Sequence, residues 1–211
     1  LFDCGIIEQK SHSVKIISVG NIRVGGTGKT PFVEYLIKAL SPYFNLAILS
    51  RGYGRKTKGF IHLQPHHTAS EVGDEPLLIY KRNPNTFVAV CEERNKGVEN
   101  ILKISPKTNL IILDDAYQHR YINRDINILL TEYNRPFFKD RVIPYGRLRE
   151  YRKGYKRASY IVVTKCPPLN EKQKQELLAY GQVKLDPKII IELIKAIVAL
   201  TVAALAFFTE R

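Results

Sequence analysis

An apolar, β-branched run at residues 14–19 breaks into the turn GNIRVGGTGKT and then resumes with helical spacing at Phe32, Tyr35, Leu36, Ala39 and Leu40. A buried strand, a glycine-rich loop and an amphipathic helix in that order belong to sheets whose strands are covered by helices. Gly25, Gly26 and Gly28 let the loop curl until successive backbone N–H groups point inward. Lys29 and Thr30 then open a helix whose N-terminus carries partial positive charge. The run Gly25, Gly26, Thr27, Gly28, Lys29 and Thr30 therefore reads as a cradle for a phosphate chain. Lys29 reaches the β and γ phosphates, and the Thr30 hydroxyl offers one coordination position to Mg²⁺. Both side chains are expected to be exposed at the helix start. The pattern G-x-x-x-x-G-K-[ST] puts its first glycine at position 23, where this chain has Arg23, so the neighbouring Gly20 is expected to supply the bend.

A chain of 211 residues with 45% hydrophobic content can bury the core of one such domain, and its composition excludes a disordered chain. Thirty-three Lys and Arg against 20 Asp and Glu give +13, a field that draws anionic partners: phosphates, anionic lipid or nucleic acid. Cys4, Cys91 and Cys166 are far apart and lack C-x-x-C spacing, which argues against a disulfide framework or a zinc site and fits a reducing compartment. The first residue is Leu and no signal-type apolar segment follows, so the start reads as the interior of a longer frame.

Residues 46–49 form a second strand, which runs into SRGYGRKTKG with Arg51, Arg55, Lys56 and Lys58. In open α/β sheets ligands bind where strands end, so this loop is either an anion-binding loop or a solvated basic one. His66 and His67 lack carboxylates or cysteines at ligand spacing and read as a surface loop. In EVGDEPLLIYKR, Asp74 and Glu75 precede Pro76 at a helix start. Acids there either cap the helix or work chemically, one taking a hydroxyl proton while the other holds Mg²⁺. Residues 87–90 are a buried strand continued by a helix over 91–104, and residues 109–114 form another strand that ends in Asp114 and Asp115. A carboxylate at that edge faces the phosphate loop, a Walker-B-like element. Residues 125–131 and 160–164 complete the strands. Between them, residues 141–159 interleave Lys and Arg with Tyr145, Tyr151 and Tyr155, as a nucleic-acid surface would or as a phosphate clamp would, with Arg147 or Arg149 reaching the γ-phosphate. Lys165 in VTKC does not complete an N/T-K-x-D base-reading pattern, which leaves ATP and GTP both open. Residues 170–180 read as an amphipathic helix. Residues 189–208 are almost wholly apolar but carry Glu192 and Lys195, and they read as a buried or membrane-associated helix, not a span.

The fold expected is α/β, P-loop NTPase-like, a mostly parallel sheet with helices on both faces. Residues 1–181 form the core domain and 182–211 an apolar, helical tail. Together, SVGNIRVGGTGKTPFVEYL, ILSRGYGRK, VGDEPLL, ILDDAYQHR, RDINILL and IPYGRLRE resemble the tetraacyldisaccharide 4'-kinase family over residues 1–181. The resemblance implies transfer of the ATP γ-phosphate to the 4'-hydroxyl of a tetraacyl glucosamine disaccharide 1-phosphate in lipid A biosynthesis. It places the protein peripherally at the cytoplasmic face of the bacterial inner membrane, against anionic lipid, with no nucleic-acid partner expected. It implies Lys29 and Thr30 as the phosphate-loop pair, Asp74 as the base near the acceptor hydroxyl, and Glu75 and Asp115 as metal-associated carboxylates. Asp114, Gln118 and His119 shape the site, Arg51 belongs to it, and Arg149 lies near the transferring phosphate. The family's N-terminal membrane helix is not evident here, nor is its C-terminal lobe, whose histidine pairs with the GDEP aspartate. The alternatives are a P-loop ATPase or GTPase switch and a catalytically weak nucleotide-binding fragment.

Overall fold

The computed structural model describes residues 7–178 and 183–184, with side chains described through Glu176. The elements run β1 (Lys15–Gly20), α1 (Lys29–Leu40), β2 (Leu46–Ser50), β3 (Ile61–His62), α2 (Ala69–Val72), α3 (Asp74–Arg82) and β4 (Phe87–Val90). They continue with α4 (Arg94–Ile104), β5 (Leu110–Asp114), β6 (Ile126–Glu132), β7 (Tyr160–Thr164), α5 (Glu171–Leu178) and β8 (Val183–Lys184). The strands form one sheet in the order β3-β4-β2-β5-β1-β6-β7-β8. Every pairing is parallel except that of β3 with β4. The apolar tail at 189–208 lies outside the described residues.

Strand side chains alternate between two cores, as a pleated sheet covered on both faces requires. Ile17, Val19, Ile48, Val88, Val90 and Ile112 face α1 and α3 together with Phe32, Val33, Leu36 and Ile79. Ile16, Ala47, Leu49, Ala89, Ile111 and Leu113 face α4 with Val98 and Ile101. Over β6 and β7 that second face is covered by the chain between the two strands, whose Phe137, Leu148 and Ala158 pack with Leu129, Ile161 and Val163. This connection carries two short 3₁₀ turns, Phe137–Lys139 and Arg152–Arg157, in place of a long crossover helix.

Two local readings are corrected. The helix expected over 91–104 begins at Arg94, because the Arg94 guanidinium folds back under the strand exit and donates to the Cys91 carbonyl at 2.6 Å, keeping residues 91–93 out of the helix. Gly20 does not supply the bend of the phosphate loop. It is the last residue of β1, outside the positive-φ glycines, and the bend falls at Gly25 (φ 115°) and Gly28 (φ 81°). What Gly20 provides is room, since a Cβ there would stand 2.8 Å from both the Cβ and the backbone N of Tyr117.

Gly20→Ala is accordingly expected to destabilise the fold by about 1–3 kcal/mol through overpacking against a backbone that has nowhere to move. Urea unfolding checks it: the midpoint should fall with little change in slope, and a shift under about 0.5 kcal/mol would show that the Tyr117 turn can give way.

Candidate active site

The phosphate loop leaves β1 at the centre of the sheet and is held from three sides. Asn21 is fully buried and donates through Nδ2 to the Thr27 hydroxyl at 2.7 Å, while Thr164 at the end of β7 donates to the Thr27 carbonyl at 2.8 Å. Lys165 donates to the Gly26 carbonyl at 2.9 Å and pairs with Glu132 at the end of β6. The Thr27 side chain is thereby turned inward as an anchor of the loop. Arg23 is buried too, its Nη1 3.0 Å from Glu132 and its Nε 2.9 Å from Asp140. Burying a guanidinium is tolerable only when it is paired and hydrogen-bonded, and this pairing is what the position of the missing glycine is used for.

The same stretch binds the chain before β7 edge to edge. Val24 donates to the Arg147 carbonyl at 2.8 Å, Arg149 donates to the Ile22 carbonyl at 2.8 Å, and Arg23 and Leu148 form an antiparallel bridge. Of the two arginines left open by the sequence, this register brings Arg149 into the cleft and leaves Arg147 outside its lining. Arg149 Nη1 lies 3.5 Å from Asp115 Oδ2, and Lys29 Nζ lies 3.5 Å from Asp115 Oδ1. Lys29 is buried and Thr30 half-buried, a correction to the expected exposed helix start, because the loop folds over them.

Across a cleft of about 940 Å³ stand Arg51, Asp74 and Glu75. Their loops meet backbone to backbone, since a Cβ on Gly73 would lie 3.0 Å from the Tyr53 carbonyl oxygen and 3.2 Å from Gly52. Asp74 and Glu75 occupy the first turn of α3 and are exposed to the cleft. Gln118 and His119 line it from the turn after β5, Gln118 donating to the Asn21 carbonyl at 2.7 Å. Arg55 does not share the role of Arg51: it is paired with Glu92 at 2.7 Å, which makes its part in the basic loop structural.

Asp114 ends β5 fully buried, and burial, with Glu75 and Asp115 nearby, pushes its carboxyl up to about 6 against the pull of Lys29 and the Ser50 hydroxyl. His119 is pulled down to about 4 by burial and by Arg94, Arg124 and Arg51, so it is neutral at physiological pH. Asp114 Oδ1 and Asp115 Oδ1 have no hydrogen-bond partner, an arrangement of hard oxygen donors that suits a divalent cation. Among the described residues no three His, Cys, Asp or Glu converge as a self-sufficient metal site.

Asn21, Glu132, Asp140, Thr164 and Lys165 were not singled out as site residues from the sequence. Lys165 carried a signal, a cation directly after a strand at the ligand edge. It takes a left-handed backbone (φ 54°), as does Asp115 (φ 46°), and such strained non-glycine residues gather at functional sites.

The sequence matches the family model described as tetraacyldisaccharide-1-P 4'-kinase over residues 1–206, a match that continues past Gly181. It is 52% identical over 167 residues to the tetraacyldisaccharide 4'-kinase of Cytophaga hutchinsonii, covering 79% of this chain and 48% of that protein. It is 47% identical over 191 residues to that of Flavobacterium psychrophilum, covering 88% and 56%. The fold is similar to a crystal structure of LpxK from Aquifex aeolicus in complex with ATP, at a TM-score of 0.73 and 39% identity over 81% of this chain and 56% of that one. The chain thus spans about half the length of the curated relatives it matches.

Because folded Asp114 holds its proton to about 6 against an ordinary 3.8, the native state binds more protons than the unfolded one between those values. The stability this confers is full below the lower value and is lost as pH rises through about 6. Asp114→Asn removes the loss, so the nucleotide-free variant should gain on wild type by on the order of 1–3 kcal/mol between about pH 4 and pH 7. Paired urea titrations measure this difference, and one that is flat with pH would show that the Asp114 carboxyl is not strained by its burial.

Proposed function

Since the chain belongs to the tetraacyldisaccharide-1-P 4'-kinase family, we propose that it supplies the nucleotide-binding and phosphate-transferring part of a kinase acting on the 4'-hydroxyl of a tetraacyl glucosamine disaccharide 1-phosphate in lipid A biosynthesis. The observation that carries the reading is the convergence on one cleft of Lys29, Asp115 and Arg149 from the phosphate-loop side and Asp74 and Glu75 from the other. Residues 1–181 are the core domain, and 182–211 a tail set apart by its apolar composition. The protein works peripherally at the cytoplasmic face of the inner membrane, where its +13 charge favours anionic lipid.

ATP lies with its phosphates on the loop of Gly25, Gly26 and Gly28 and the start of α1. The N–H groups and Lys29 hold the chain, with Asp115 facing the Lys29 ammonium. Mg²⁺ would be held by Thr30, Asp115 and Glu75, neutralising phosphate charge when bound. Asp114, buried beside Asp115 and bonded to the Ser50 hydroxyl, would add negative charge near that site. Asp74, open to solvent, takes the proton of the acceptor hydroxyl. Arg149 is held loosely at 3.5 Å by Asp115 and can turn to the transferring phosphoryl group. Phosphoryl transfer asks for alignment and charge neutralisation more than covalent chemistry, and this cleft offers both.

Radiolabelled ATP with the disaccharide lipid in detergent tests the reading, run beside a longer version carrying the family's C-terminal lobe. Transfer to the lipid is expected; nucleotide hydrolysis without it would favour a switch ATPase. Arg149→Ala should lower kcat on the order of 10³-fold with little change in ATP affinity, whereas a change confined to KM would make it a ground-state contact.

Asp74→Asn separates chemistry from structure, because Gly73 and not Asp74 is the N-cap of α3 and Asn keeps the size of Asp in the first turn. Transfer should fall on the order of 10²-fold or more with an unchanged melting temperature. Retained transfer would remove Asp74 as the base.

A further inference from the structure

Behind Arg149 lies a second face with its own chemistry. Leu148, Arg149 and Glu150 are consecutive, yet Arg149 lines the nucleotide cleft while Leu148 and Glu150 line a separate groove of about 1330 Å³. Ile143, Tyr145 and Tyr151 project around this groove at 54%, 86% and 80% exposure. Arg141, Lys153 and Lys156, all exposed, stand among them. Among the described residues lining the groove only Glu150 is acidic, and Arg157 neutralises it at 2.6 Å.

The tip that carries Ile143 and Tyr145 is built, not loose. Ile143 donates to the Leu148 carbonyl at 3.1 Å, Tyr145 to the Val142 carbonyl at 3.0 Å, and Val142 bridges Leu148. Apolar and tyrosyl side chains held out on an ordered turn lose little entropy on burial, and cations at the same level keep their heads in a polar layer while their stems lie against apolar material. Aliphatic tip, tyrosines and a ring of Lys and Arg together match the boundary between headgroups and acyl chains. A single-stranded nucleic acid would use the charge and the tyrosines but gains nothing from an exposed Ile143 beside Pro144.

We propose that this face is the surface by which the protein docks on an anionic phospholipid bilayer, with Ile143, Tyr145 and Tyr151 entering the interface and Arg141, Lys153 and Lys156 meeting lipid phosphates. The preference for a lipid surface rests on the lipid-kinase reading. Docking here holds the strand that carries Arg149, and through the Arg149–Ile22 and Val24–Arg147 hydrogen bonds the phosphate loop, in fixed relation to the bilayer.

The test is co-sedimentation of the full chain with phosphatidylcholine vesicles, with and without about a third phosphatidylglycerol. Wild type should pellet with the anionic vesicles only. Lys153→Glu/Lys156→Glu should weaken that partition at least about tenfold, and Ile143→Ser/Tyr145→Ser should weaken it several-fold, both with wild-type circular dichroism. Lys103→Glu/Lys107→Glu, the same charge change at the end of α4 and outside the lining of the groove, should cost clearly less. Equal losses from both lysine pairs, or binding that survives the substitutions on this face, would overturn the assignment. So would a single-stranded RNA that binds through Lys153 and Lys156 while vesicles do not bind. The readout needs neither ATP nor acceptor: if wild type transfers no phosphate yet shows this vesicle pattern, the kinase reading fails and the docking surface stands.

Discussion

β1 is hydrogen-bonded along both edges, to β5 from Lys15 to Val19 and to β6 from Ile17 to Gly20, so its register cannot shift without moving every element that contributes to the cleft. A one-residue slip would also exchange Ile17 and Val19 for Ile16 and Ser18 against α1, reversing the two cores. The end of β1 is thereby fixed. Everything at the ligand edge, including Asp114 at the end of β5 and Glu132 at the end of β6, is positioned relative to it.

Beyond Gly20 the chain leaves the parallel sheet, and its position there depends on backbone hydrogen bonds to Arg147 and Arg149 together with ion pairs and side-chain hydrogen bonds. Arg23 draws together Glu132 from β6 and Asp140 from the connection to β7; Lys165 adds the end of β7. The carboxyl of Asp140 also accepts the backbone N–H groups of Arg141 and Arg147, which, with Arg23, outweigh its burial and hold it below the usual carboxylate range. A glycine at position 23 would keep the backbone bonds to the Arg149 strand but lose the ion pairs to Glu132 and Asp140. The charged residue trades backbone freedom for a rigid link between the part that holds phosphates and the part that reaches them.

That link also explains why two faces with different chemistry can lie one residue apart. Alternation along an extended segment sends Arg149 to the phosphates and its neighbours Leu148 and Glu150 to the opposite groove. A basic stretch that looked undivided in the sequence is thus shared between catalysis, structure and surface. Arg149 faces the cleft, Arg157 is committed to Glu150 and the Tyr117 ring, and Lys153 and Lys156 face solvent.

Strand and helix types were legible because their patterns are local. The runs 87–90 and 160–164 coincide with β4 and β7, Lys29 opens α1, and GDEP starts α3, since apolar alternation, helical spacing and first-turn acids are properties of adjacent residues. β3, two residues long, escaped because so short a strand has no periodicity to read. The residue types of the phosphate loop and of the carboxylates at strand ends were likewise set by the sequence, as the chemistry of phosphate and metal binding admits few alternatives. Only the tertiary structure decided which of several equivalent residues fills which role. It put Arg149 in the cleft over Arg147 and Arg51 over Arg55, placed the bend at Gly25 and Gly28 and not Gly20, and made Arg23 a buried clasp. Those choices depend on pairings between residues far apart in the chain, from Arg55 with Glu92 to Arg23 with Glu132 and Asp140, and distance through space is a quantity that local spacing does not contain.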